Sequence, residues 1–504
     1  MDLECLPEWP VHAPMVKTID LKKLNELSQT SAYKEDVRTA LEMLSYSEYH
    51  YGKEMPPLKL LTESDELTEE DVQIFINNGL LEEDPDVRGG GRMSPVGEKA
   101  KQRRRVIHDL LWLNATSPEP ERVQFHSIAE LHLITETCSY ATALDMKCWF
   151  YQFVIDISLG RCCGILQNGK RYRMKRLPMG LKHAVFVAQA VLRCLSDVGV
   201  EGVTASMYID NIMFAGNCPK AINRARALFI QRCKFINATI GDHGTLATTV
   251  VEFRGLKLDL GQKQVSMGSK FLEKFEYRIE LLQTAAVRNS VSAWETIIGM
   301  ETYALCCLRR PLGLNHNTYK WMAHAISNNS VFARPPPTAW NELRNIARIS
   351  KTKSEVQFDW DQQERLYTDA ARTSRRAGWG GLRIKPSGES TMSKGVFERL
   401  ENGQFAHINI LETQAVERAV REMYRSVNPN KLITPITLYI DNTAAQSSVG
   451  RGGSSAFYLN KAAVDVWNIA MEKRLFLFPK RIASKDNIVA DALSRGIPAP
   501  NYQH

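Results

Sequence analysis

The sequence has no C-x-x-C pair among its ten cysteines, no apolar run long enough to span a bilayer, no internal repeat and no long low-complexity tract. Without C-x-x-C, and with adjacent pairs at Cys162–Cys163 and Cys306–Cys307, the cysteines suit neither a zinc site nor a disulfide framework. With neither a signal peptide nor an apolar span, the chain is expected to be soluble and intracellular, in cytoplasm or nucleus, with reduced thiols and no membrane partner. One-sided charge is scarce too: 64 Lys and Arg stand against 56 Asp and Glu. So small an excess permits a polyanionic partner without demonstrating one. What is present is an apolar fraction of 44%, ordinary for packed protein, over 504 residues, too long for one domain.

Positive charge gathers locally in "KQRRR" (101–105), "GKRYRMKR" (169–176) and "RTSRR" (372–376). A solvated face explains any one of them; three clusters near the acidic motifs below point toward nucleic acid. Residues 1–65 form an N-terminal extension, helical in pattern near Val37–Leu44, with no nameable chemistry. A helix is predicted from a Thr68 cap to Asn78–Gly79, and "RGGGR" (88–92) reads as a flexible loop. Residues 105–260 alternate strand-like and helical runs, including a helix at 184–196, and 268–330 are mostly helical. "ARPPPTAW" (333–340) looks like a linker, followed by a second α/β pattern at 356–496 and a short tail at 497–504.

Two stretches of the first α/β region carry carboxylates. "ATALDMKCWFYQFVID" (141–156) places Asp145 near the start of an aromatic-rich strand. In "SMYIDNIMFAG" (206–216), Met207–Ile209 and Ile212–Phe214 read as strands closed by a turn at Asp210 and Asn211, residues that tolerate positive φ. Aspartates on neighbouring strands can hold two divalent ions roughly 3.5–4 Å apart, and oxygen ligands favour Mg²⁺ or Mn²⁺. Between them, in "RLPMGLKHAVFVAQAVL" (176–192), Pro178 and Gly180 force a turn before a helix that brings backbone donors and Lys182 toward phosphate.

The order LD-x-x-x-x-F, LP-x-GL-K, Y-x-D and "EFRGLKL" (252–258) resembles the palm of reverse transcriptases. "RRRVIHDLLWLN" (103–114) resembles that family's fingers strand, and "VQIFINNGLLEEDP" (72–85) its fingers helix. The resemblance implies fingers and palm over 66–264, a helical thumb-like region at 265–332 and a connection at 333–355. It implies metal ligation by Asp145, Asp210 and the Met146 carbonyl, a sugar-gating role for Phe150, and triphosphate binding by Arg105. Gly180 and Lys182 would line the nucleotide and template site, and Gln189 would face the template. Three departures stand out: Asn211 replaces a second Asp beside the nucleotide, Val185 stands where Pro is common, and "NATIGDHGTL" (237–246) has no clear match to the lysine that follows the hairpin.

Four acids follow the linker. Asp369 closes a strand in "RLYTDAARTSRRAGWGGLRI" (365–384), and Glu412 lies in the first turn of a helix in "AHINILETQAVERAV" (406–420) whose apolar face is Ala415, Val416, Ala419 and Val420. Asp441 directly follows the strand of "ITLYIDNTAAQ" (436–446), and Asp491 lies within the helix of "SKDNIVADALSR" (484–495). Four converging carboxylates repel unless divalent cations neutralise them. Their order resembles ribonuclease H, and N-x-x-AD-x-LSR resembles retrotransposon versions; Asp486 is the alternative last acid, and the histidine that some relatives carry before it is absent.

The expected architecture is therefore α/β multidomain: a right-hand polymerase of fingers, palm and thumb, then a ribonuclease H-like α/β domain at 356–496. The implied activity is RNA-directed DNA synthesis plus hydrolysis of RNA in the RNA–DNA hybrid, with two Mg²⁺ or Mn²⁺ ions per active site. The implied partners are RNA template, DNA primer and product, RNA–DNA hybrid and dNTPs. With no recognisable aspartic protease, integrase or zinc knuckle, the resemblance leans to DIRS-like retrotransposons of the VIPER type over gypsy-type ones. Two other readings remain: a polymerase-dead RNA-binding scaffold, and a ribonuclease H whose palm only grips the hybrid.

Overall fold

A computed structural model describes residues 9–53, 63, 67–98, 102–424 and 432–500. The chain is a mixed α/β protein of two compact units, residues 1–254 and 255–504. Among the described residues no helix is long and apolar enough to cross a membrane.

In the first unit a four-stranded antiparallel sheet runs in the order Val203–Tyr208, Asn211–Gly216, Tyr140–Met146, Ile240–Asp242. The central strands are apolar on both faces because the sheet is covered: Ile212, Met213, Phe214 and Ala215 are all buried. The helices Ala184–Ser196 and Pro219–Phe235 pack against this sheet. The first of them is apolar nearly all round because a further helix, Lys34–Glu42, lies against it. Residues 9–53 thus belong to the same core, with Leu24 and Val37 fully buried, each contributing about 1.5–3 kcal/mol. Arg193 fastens that contact, stacking 4.2 Å over Tyr33 and pairing with Asp36 at 3.2 Å.

Several expectations change here. Asp145 lies at the end of its strand, not near the start: the strand stops at Met146, and the aromatic run turns into a 3-10 helix, Trp149–Gln152. "RGGGR" is not a loose loop, because the Gly91 N–H donates to the Gly164 carbonyl at 3.1 Å and the Gly164 N–H to Gly89 at 2.9 Å. Most described basic residues of two clusters are paired internally. Arg104 is buried in a two-pronged pair with Asp71, the residue that also completes the capping box at Thr68, while Arg103 and Arg105 share Glu98. Lys170 pairs with Glu83, Arg173 and Lys175 with Glu82, and Arg173 also lies 3.5 Å from Asp84.

In the second unit the helices Ser269–Leu282, Val291–Cys307, His316–Ser327 and Pro337–Ile349 surround fully buried Trp294, whose ring meets Trp321 and Trp340 edge-on. "ARPPPTAW" is therefore no free linker. Its last proline is the first residue of a helix, where a missing N–H costs nothing.

This unit also holds a five-stranded sheet in the order Ser390–Val396, Ala377–Ile384, Glu364–Arg372, Thr434–Ile440, Leu475–Arg481. The first three strands are antiparallel, and the last two run parallel to the central one. Helix Ile408–Met423 packs on the sheet through Ala415, Val416, Ala419 and Val420, all fully buried. Phe457–Glu472 packs against that helix.

Candidate active sites

The central strand of the second sheet carries Asp369, its parallel neighbour ends immediately before Asp441, and helix Ile408–Met423 brings Glu412 above both. Asp369 does not close its strand, which continues to Arg372, and Glu412 lies one turn deeper than expected because the helix begins at Ile408. Each of the three offers a carboxylate oxygen, and these oxygens lie within 4.8 Å of one another. Asp369 and Glu412 are only 3% and 4% exposed, so water does little to separate their charges.

Burial, reinforced by the charges of Asp441 and Asp491, pushes the Asp369 carboxyl up to about 7 against a donated bond from Ser494. Burial and the charges of Asp369 and Asp441 push Glu412 up to about 9, against the Ala370 N–H that donates to it at 3.1 Å. This set of hard oxygen donors, costly to ionise together, fits a divalent cation.

Asp491 is outside the 4.8 Å group, but its charge acts on both Asp369 and Glu412. It lies in helix Ile488–Arg495, where Arg495 Nε sits 2.8 and 2.9 Å from its two oxygens. Asp486 is exposed in the 3-10 turn Ser484–Asp486. Two supporting residues escaped the sequence reading. Ser494 Oγ lies 2.6 Å from Asp369 Oδ2, and buried Asn487 donates to the Thr368 carbonyl at 3.0 Å. The signal was in "N-x-x-AD-x-LSR": both residues frame the acid, one on each side. The glycines of "GWGG" explain how the helix comes so near, since a Cβ at Gly380 would collide with the Ala490 carbonyl and the Leu493 side chain. The third basic cluster serves the same packing, with Arg376 donating to the Ser494 carbonyl at 3.3 Å.

In the first unit the register sets Asp145 directly between Asn211 on one side and Asp242 on the other. Tyr208 pairs with Asn211, so the turn residues are Ile209 and Asp210, and the positive φ falls on Ile209, at 61°. Neither Asp210 nor Asn211 takes it, contrary to expectation. A β-branched residue at the turn position where glycine is favoured is strained, and the surroundings hold it there. The Met146 N–H donates to the Asp210 carbonyl at 2.8 Å, and the Asn211 amide donates to Asp210 Oδ1 at 2.8 Å.

Gln189 is buried, not turned outward: its Oε1 accepts from the Ile209 N–H at 2.8 Å and its Nε2 donates to the Met207 carbonyl at 3.2 Å. Tyr208 is fixed by Phe125 and by Arg254, 4.3 Å over its ring. Buried Gln152, also missed, donates to the Lys147 and Thr239 carbonyls at 2.6 and 2.8 Å and so ties the end of Asp145's strand to the Asp242 segment.

The other residues are more scattered. Phe150 is half-buried in its 3-10 helix. Lys182 Nζ meets Glu119 at 2.8 Å and the Ser117 carbonyl at 3.1 Å, while Asn114 bridges the Gly180 carbonyl and the Lys182 N–H. Gly180 takes φ +114° with its Cα against the His108 carbonyl, so no side chain fits. Arg105 is engaged by Glu98 at 2.9 Å.

No family model matches this sequence, and no curated protein matches it. Among solved structures, the chain is similar to the foamy viral protease-reverse transcriptase in complex with dsDNA, at 14% identity over 94% of this chain and 99% of that one, with a TM-score of 0.46. It is similar to the same protein in complex with RNA/DNA hybrid at 14% identity, over 97% of this chain and 66% of that one, with a TM-score of 0.47. At that distance the similarity assigns no residue a role.

Proposed function

We propose that the chain is an RNA-directed DNA polymerase with ribonuclease H activity, built as fingers, palm and thumb followed by a ribonuclease H domain, from a retroelement of the DIRS-like, VIPER type. The observation that carries this reading is the trio Asp369, Glu412 and Asp441, converging within 4.8 Å on the central strands of a sheet whose strand order and directions suit ribonuclease H. Asp145 near its strand's end and Asp210 in the adjoining hairpin turn, linked by the Met146–Asp210 backbone bond, support the polymerase half. In both places the carboxylates would hold Mg²⁺ or Mn²⁺, which supplies charge neutralisation at phosphate and activation of a hydroxyl or water nucleophile. The chain's own residues set the geometry: Ser494 and the Ala370 N–H aim two of the trio, and Gln189 sets the turn that presents Asp210. RNA template, DNA primer, hybrid and dNTPs are the partners on this reading.

One observation favours a second reading, a ribonuclease H whose palm only grips the hybrid. The Asn211 amide donates to Asp210 Oδ1, occupying an oxygen that a cation would need. Primer extension on an RNA template and cleavage of a labelled hybrid, with Mg²⁺ or Mn²⁺, decide between them. The first reading expects both activities in the wild type, loss of extension alone in Asp210→Ala, and loss of cleavage alone in Asp441→Asn. Cleavage without any extension gives the second reading, and neither activity removes both.

A further inference from the structure

In the second unit, helices Ser269–Leu282 and Pro337–Ile349 wall a groove of about 1270 Å³ that shares no residue with the Asp369 trio. Its floor is apolar, built on buried Phe275 and Leu343, with the Trp340 ring held in place by an edge contact to Trp294 at 4.9 Å. Its rim is cationic. Lys351 is neutralised by Glu276 at 2.7 Å, but among the described residues no carboxylate pairs with Arg288, Arg334, Arg344 or Arg348. Glu280 is the one acid left to oppose them in the lining.

We propose that this groove binds single-stranded nucleic acid, phosphates on the rim and bases against the floor. Arg344 and Arg348 are one helical turn apart, about 6 Å along the axis, a spacing suited to successive phosphates of an extended strand. Each is steadied by an asparagine three residues before it, Asn341 at 2.9 Å and Asn345 at 3.0 Å, so both are pre-oriented. Arg288 lies 5.4 Å over the Trp340 ring, where a flat cation holds the place that a base plane takes on an aromatic platform. An acidic peptide would meet the same charges but has no planar rings for Trp340. A duplex keeps its bases paired and stacked on one another and has none free for the Trp340 ring. The groove shares no residue with either carboxylate set, and it stands whether or not the proposed activities do.

The test is fluorescence anisotropy with the full chain in EDTA, using a labelled 12-nucleotide RNA, the matching DNA strand and a blunt RNA–DNA hybrid, across a salt series. The charge-reversed double variant Arg344→Glu/Arg348→Glu should bind both single strands about tenfold or more weakly and lose about 1.4 from the log–log salt slope, two contacts at about 0.7 each. Arg344→Lys/Arg348→Lys should keep that slope, and hybrid binding should change less than twofold in either. Unchanged single-strand affinity and slope in the charge-reversed protein, with a wild-type melting curve, overturns the proposal. So does an equal loss for the hybrid, which makes the groove a duplex surface, or a glutamate peptide that competes as well as RNA, which makes it a protein-docking surface. Wild-type extension and cleavage assays report separately on the catalytic reading, because EDTA keeps metal-dependent chemistry out of the binding measurement.

Discussion

Ser494 Oγ and Asp369 Oδ2 lie 2.6 Å apart with both residues shielded from water, so the last helix reaches across to fix one oxygen of the central carboxylate. Ser494→Ala removes the hydroxyl and leaves a buried acceptor without that partner, at a cost of about 1–3 kcal/mol. Loss of such a supporting bond behind a metal-binding carboxylate is expected to lower hybrid cleavage about 10–100-fold and to raise the Mg²⁺ needed for half-maximal rate. Cleavage rates across a Mg²⁺ titration check it; an unchanged Mg²⁺ requirement rules out the positioning role.

Burial raises Asp369 to about 7 and Glu412 to about 9. The unfolded chain releases these protons near pH 4, so between there and the folded values the folded state holds more protons than the unfolded one. Their contribution to stability is therefore greatest below the unfolded values and is lost as pH rises through the folded values. Melting in EDTA is expected to fall from pH 6 to pH 9. Mg²⁺ should raise the melting temperature more at pH 9, where the carboxylates are ionised, than at pH 6. Buried Glu301, raised to about 8 by burial, adds the same trend, and Glu301→Gln separates it from the Mg²⁺-responsive part. A Mg²⁺ effect equal at both pH values contradicts the assignment of the trio to a cation.

Asn211 spends its amide on Asp210 Oδ1 at 2.8 Å. Asn211→Asp replaces that donor with a second negative charge beside the first, which strengthens attraction for a divalent cation. The expected result is a lower Mg²⁺ concentration for half-maximal primer extension, with hybrid cleavage unchanged. Extension rates at graded Mg²⁺ measure it, and a requirement that rises or stays level refutes the link between Asn211 and the cation.

Asp441 directly after a strand and Glu412 on a helix with the apolar face Ala415 to Val420 were legible because short-range pattern is strong there, whereas the end of Asp369's strand, three residues further on, was not. What failed was long-range. Nothing local in "GKRYRMKR" says that Glu82, Glu83 and Asp84, almost ninety residues earlier, neutralise it through strand pairing. Three consecutive prolines look like a linker until Trp340, three residues past the last, finds Trp294. The hairpin turn was misassigned by one residue: local preference favours Asp and Asn at positive φ, but the pairing of Tyr208 with Asn211 fixes the register and forces Ile209 into that conformation.

Gln189 gives the sharpest separation between support and substrate contact. Its amide closes a bridge from the Ile209 N–H to the Met207 carbonyl across the strained turn that carries Asp210. Gln189→Met keeps length and volume and deletes both bonds, leaving a turn N–H short of its partner and a positive-φ isoleucine held only by packing. Relaxation of the turn displaces Asp210 relative to Asp145, so the loss should appear in the rate of nucleotide addition, about 10-fold or more, and not in template affinity. Hybrid cleavage in the same preparation, which depends on the other unit's trio, should stay at the wild-type level. Single-turnover extension and template binding measured side by side settle the matter. A variant that extends at the wild-type rate but binds template weakly would return Gln189 to the template-facing role that its motif implies.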